Sequence, residues 1–140
     1  MIALTILFRR LQFYTHMAHN LTSGETFFQD HDFLGSLYGT YEGIYDSLVE
    51  RTIGLYGDKS IDLLKVHRAA VERLEAFEST EECFGYLLED EKKICEEIGK
   101  LCKNKDVTEG TKNLIQGIAD DSEIRQYKFK RRIMKDKDDK

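Results

Sequence analysis

The chain has 140 residues, long enough for one domain with a real core. Charged residues make up 34% and sum to a net charge of −5, which excludes a generally basic nucleic-acid binder. Cys83, Cys95 and Cys102 show no paired short spacing, which excludes a disulfide framework and a zinc knuckle.

Proline is absent, as suits long uninterrupted helices. The apolar run from Met1 to Phe8 is followed, not preceded, by Arg9 and Arg10, so it is expected to be neither a signal peptide nor a membrane span. Leu4, Leu7, Leu11, Tyr14, Ala18 and Leu21 alternate at spacings of three and four, predicting a first helix from about Ile2 to Leu21. His16 and His19 fall one turn apart, off that stripe. Gly24 is a good helix stop, and Thr22 or Ser23 is suited to capping the next element.

A second helix is predicted from about Thr26 to Ile53, on the stripe Phe27, Leu34, Leu37, Tyr41, Ile44 and Leu48, ended by Gly54 to Gly57. At roughly 42 Å it has the length of a bundle helix. Asp58-Lys59-Ser60 signals a cap before a short apolar helix, Ile61 to Val66, in a long crossover, and residues 67–78 are expected to be helical too, either extending it or starting the next helix. Ser79 with Glu82 makes a capping box opening a third helix. Its stripe runs through Phe84, Leu87, Leu88, Ile94, Cys95, Ile98, Leu101 and Cys102, and Glu91 interrupts it, predicting a partly wet face. Cys95 and Cys102, seven apart on this apolar face, read as buried thiols in a reducing cytosol, hence a cytoplasmic protein. After a polar loop from Asn104 to Gly110, a fourth helix is predicted from about Thr111 to Ile133. The expected fold is all-α: one domain over 1–134, a four-helix bundle with a short helix in the crossover between the second and third helices, then a charged tail over 135–140.

The chemistry-bearing residues lie between His16 and Arg51. His19 and His31 flank the Gly24 turn, so a hairpin brings both to one end. Asp46 and Glu50 stand at i, i+4, with β-carbons about 6 Å apart on one helix face. Such a pair is ordinarily a solvated acidic patch, but two imidazoles and two carboxylates are also what iron(II) takes as ligands. Fifteen residues separate His31 from Asp46, about 22 Å of straight helix. Either the site is not shared, or the carboxylates come from a second, antiparallel molecule. None of the four histidines has a Glu three residues before it, which argues against an in-chain di-iron site.

The run His19-Asn20-x-x-x-Gly24-x-x-Phe27-Phe28-x-x-His31, followed by Asp46-x-x-x-Glu50-Arg51, resembles the Dps family of mini-ferritins. Gly110-Thr111-x-x-Leu114-Ile115 with Glu123 extends the likeness over nearly the whole chain. The resemblance implies a ferritin-like bundle assembled as a hollow dodecamer with ferroxidase sites at the dimer two-folds. It implies iron(II) oxidation, with hydrogen peroxide the preferred oxidant, and storage of ferric mineral. By the same resemblance His19 and His31 are ligands from one subunit, and Asp46 and Glu50 ligands from its partner, with Glu50 as bridge.

The chain departs from that family at Asn20, where a Trp is usual, and at Gly35, where a carboxylate is common. The lysine-rich N-terminal tail that some members use on DNA is expected to be absent. These departures motivate an alternative: a ferritin-like shell with a degenerate metal site, serving as a structural or DNA-protecting protein. Residues 128–140 hold seven Lys and Arg against three Asp, leaving about −9 on the rest of the chain. Lys128, Lys130, Arg131, Arg132, Lys135, Lys137 and Lys140 offer phosphate contacts, though cations at a helix C-terminus are favoured by its dipole anyway, and DNA is not the favoured partner. Asp120 and Asp121 are candidates for lining a pore. His16 is expected to lie on the surface or behind the ligands, and His67 receives no role.

Overall fold

A computed structural model describes residues 1–134. All regular structure in them is helical: α1 (Ile2–Leu21), α2 (Phe27–Tyr56), α3 (Leu63–Glu72), α4 (Thr80–Cys102) and α5 (Glu109–Ile133). No helix among the described residues is long and apolar enough to cross a membrane. The chain divides into two compact units, Met1–Phe77 and one that begins at Glu78.

In the first unit α1 and α2 form an antiparallel hairpin. The apolar stripes meet along it: Leu4, Phe8, Leu11 and Ala18 of α1, and Leu34, Tyr41 and Leu48 of α2, have no exposed surface. Each buried large side chain contributes about 1.5–3 kcal/mol. Leu21, expected on the stripe, is instead 68% exposed at the last residue of α1. Thr22 terminates α1 through its N–H to the Ala18 carbonyl, and Gly24 turns the chain at φ 90°, a backbone region that favours glycine. Neither Thr22 nor Ser23 caps α2. Its cap is Thr26, whose hydroxyl donates to Asp30 Oδ2 at 2.8 Å.

The second helix runs three residues past its expected end. Gly54 stays helical, and the stop comes at Gly57 with φ 95°. The crossover also differs from expectation. Asp58–Ser60 forms its own 3-10 turn, and α3 is capped by Asp62, whose carboxylate accepts the Lys65 N–H at 3.1 Å. Helix α3 stops at Glu72 rather than running to residue 78. There the Tyr14 hydroxyl on α1 accepts the Glu75 N–H at 2.8 Å, and the Phe77 ring packs 6.4 Å from the Tyr14 ring. A tertiary contact thus takes a backbone donor that a continued helix would have used.

In the second unit α4 and α5 pair antiparallel. Ser79 caps α4 by accepting the Glu82 N–H at 3.1 Å, as the capping box predicts. The Glu82 carboxylate, however, is engaged by the Tyr86 hydroxyl at 2.9 Å. Thr108 caps α5, which begins two residues before the expected Thr111. Glu91 is not on a wet face: it is fully buried and forms a bidentate ion pair with Arg125, through Nε and through Nη2 at 3.1 Å. Thr111, Ile115, Ile118, Ser122, Arg125 and Phe129 make one unbroken buried stripe on α5, so Arg125 is its polar member facing Glu91. All three cysteines are free. Cys83 is buried, and Cys95 and Cys102 are half-buried.

Candidate metal site

The turn after α1 sets His19, in the last turn of that helix, against His31, the fifth residue of α2. Their rings stack with centroids 3.7 Å apart and planes 20° from parallel. Each ring also bonds the other residue's backbone. His19 Nδ1 donates to the His31 carbonyl at 2.7 Å, and His31 Nδ1 donates to the His19 carbonyl at 2.9 Å. A carbonyl oxygen only accepts, so each Nδ1 carries the proton. The His19 carbonyl is one of the four at the end of α1 without a helical partner, so the His31 bond also finishes that helix. On each ring Nε2 is the nitrogen left outside these hydrogen bonds. A ring anchored through Nδ1 in this way can ligate a metal through Nε2, an arrangement common among ligating histidines.

Other aromatic rings and one glycine frame the pair. Phe27 stacks on His31 at 4.9 Å, and Tyr38 meets His19 edge-on at 5.3 Å. Tyr38 also lies flat on His16 at 4.1 Å and 12°, and His16 itself is exposed. At Gly35 the imidazole of His19 fills the space a side chain would take: a Cβ built there would lie 3.0 Å from His19 Cε1 and 3.2 Å from Nδ1. Tyr38 and the seat at Gly35 escape a reading of the core pattern alone. The signal that finds them is the off-core stripe of His31, Gly35 and Tyr38, spaced four and three.

Asp46 and Glu50 are exposed on α2, about 22 Å along the helix from His31. Nothing within one chain joins them to the imidazoles: among the described residues no three His, Cys, Asp or Glu side chains cluster as a metal would require. Nearer those carboxylates, Tyr45 is buried beneath the Arg9 guanidinium, 3.5 Å from its ring centroid. His67 donates from Nδ1 to the Leu63 carbonyl at 2.7 Å within α3. Asp120, Asp121 and Glu123 are exposed on α5. Of the basic segment, Lys128, Lys130 and Arg131 are exposed, whereas Arg132 is held by Glu81 at 3.0 Å over the Phe84 ring. Lys135, Lys137 and Lys140, with the rest of the expected tail, lie outside the described residues.

No individual characterised protein and no solved structure matches the chain. A family model does, over residues 3–137: the ferritin-like domain. Members of that family typically bind iron, often oxidise it and commonly form oligomers. The match spans all five helices, including the turn that seats the histidine pair. This all-helical chain therefore belongs to the ferritin-like domain family.

Proposed function

We propose that the protein oxidises and stores iron, as a ferroxidase of the Dps type acting at sites shared between two copies. His19 and His31 of one copy supply the neutral nitrogen ligands. Asp46 and Glu50 of the other supply the anionic oxygens, with Glu50 between two metal positions. The observation that carries this reading is the reciprocal bonding of the two stacked imidazoles through Nδ1, which leaves the Nε2 of each outside those hydrogen bonds. The donor set suits iron(II).

Carboxylate oxygens favour the higher charge of iron(III), so placing iron(II) among them makes it easier to oxidise. Two iron(II) ions give one electron each to a hydrogen peroxide molecule, which takes up two protons and leaves as two waters, with no hydroxyl radical released. The net negative surface outside the C-terminal segment draws cations toward the protein, and Asp120 and Asp121 are candidates for the lining of their entry route. Twelve copies built from two-fold dimers would enclose the ferric product.

The test is a sizing run with light scattering on the purified chain, followed by iron(II) oxidation with and without peroxide. The expected outcome is a particle of twelve copies and a ferric absorbance that grows much faster with peroxide than in buffer alone. A monomer would end the shared-site reading. A cage that oxidises iron no faster than buffer would leave the structural or DNA-protecting shell, which Asn20 and Gly35 motivate.

A further inference from the structure

Gly35 stands within a 30-residue helix, where glycine is unfavourable. Gly39 and Gly43 follow at intervals of four on the same helix, and a Cβ at either would meet nothing within 4 Å. At Gly35 alone among them the missing side chain is replaced by another residue's ring. The His19 imidazole lies so close that a Cβ would approach Cε1 to 3.0 Å and Nδ1 to 3.2 Å, inside the roughly 3.5–4.0 Å optimum for carbon contacts. The ring has little freedom to withdraw. Its Nδ1 is tied to the His31 carbonyl at 2.7 Å, and its face is stacked on the His31 ring at 3.7 Å.

We propose that Gly35 is a positioning residue of the metal site, acting through His19: the space it vacates seats the imidazole and so holds it against the His31 ring and carbonyl. This rests on the reading of His19 and His31 as metal ligands. A side chain at position 35 would require the His19 ring to give by a few tenths of an ångström, and the ring's hydrogen bond and stacking oppose that shift.

The experiment compares Gly35→Ala with Gly39→Ala in the full chain. Two readouts are taken: histidine ring signals by nitrogen–proton NMR without metal, and cobalt(II) titration followed by visible absorption. In the unsubstituted protein and in Gly39→Ala, both rings are expected to show the Nδ1–H form. Gly35→Ala is expected to lose the His19 Nδ1–H signature and to bind cobalt(II) about 10–100-fold more weakly, the usual cost of losing a ligand's anchor. Both substitutions remove a helix-interior glycine, so Gly39→Ala controls for the general gain in helix stability. Ring signals and cobalt(II) affinity unchanged in Gly35→Ala would overturn the proposal, as would equal changes in the two variants. Should Gly35→Ala fail to fold, the milder comparison is the His19→Ala background, where adding Gly35→Ala should restore ordinary folding because the clash is gone. Continued failure there would also overturn the role. The ring signals are read without iron, so loss of iron oxidation and loss of this seat are separate results.

Discussion

If the ligands are split between copies, two chains that are each inactive must restore activity when they assemble together. His31 and Asp46 lie about 22 Å apart on one helix, whereas metal bonds to nitrogen and oxygen are about 2.0–2.2 Å. One copy therefore cannot supply both to one ion. Consider a chain carrying His19→Ala and His31→Ala, and a second carrying Asp46→Asn and Glu50→Gln. Each alone has two defective sites per dimer and should oxidise iron near the buffer rate. Mixed one to one during assembly, about half of the dimers contain one chain of each kind. In these, one site combines both defects and the other combines intact histidines with intact carboxylates. About a quarter of all sites are then whole, and peroxide-dependent oxidation should recover to about a quarter of the unsubstituted rate. Co-expression with two affinity tags isolates the mixed assemblies, and ferric absorbance follows the rate. A mixture no faster than its parents would refute the split site. Full activity in either parent would remove its residues from the chemistry altogether.

The buried pair in α4 and α5 gives a stability prediction: Glu91→Ala strands the Arg125 guanidinium without its carboxylate and should cost about 3–5 kcal/mol, whereas replacing both by apolar residues should cost far less. Thermal unfolding at one fixed protein concentration checks this, and equal losses from the single and double changes would contradict it. Cys83 offers a pH test. Burial, with the Glu82 charge adding to it, pushes its thiol from 9.0 up to about 12, so below pH 9 its thiolate fraction is about a thousandfold under that of a free thiol. Iodoacetamide at pH 8.5 should therefore label half-buried Cys95 and Cys102 in the folded protein and reach Cys83 only after unfolding, as mass spectrometry of the digest would show. The linkage has a definite sign: unfolding lets this thiol ionise from about pH 9, so its stabilising share is whole below that and is lost as pH rises toward 12. A Cys83→Ala chain should show a shallower alkaline loss of stability.

Much of the fold could be read from local pattern. The leucines of α1 place both of its ends, and the Ser79 box places the start of α4, because spacing and capping act over one or two turns. The misreadings have distant causes. Residues 73–78 carry helical periodicity, yet Tyr14, some sixty positions earlier, takes the Glu75 N–H. Glu91 looks like a break in an apolar face only until Arg125, thirty-four positions on, is set opposite it. At the site, sequence spacing brings His19 and His31 to one end and keeps Asp46 away. What spacing cannot convey is that the imidazoles anchor each other through Nδ1. Nor can it convey that Gly35, in the sequence only a missing carboxylate, is the floor under His19.

The proposed separation of the ligands has a physical rationale of its own. Neutral imidazoles can be packed before any metal arrives, because stacking and one hydrogen bond each satisfy them. Ionised carboxylates cannot be buried that way without a counter-charge. Asp46 and Glu50 accordingly stay in water on the single chain, while the histidines are already fixed. If each site is completed only by a second copy, no chain need fold around uncompensated carboxylates. Metal binding and pairing then reinforce each other, because a ligand that binds only the assembled form stabilises that form by mass action. On the proposed reading, the rigid half would set where the ion sits, and the solvated half would supply the negative charge once the copies meet.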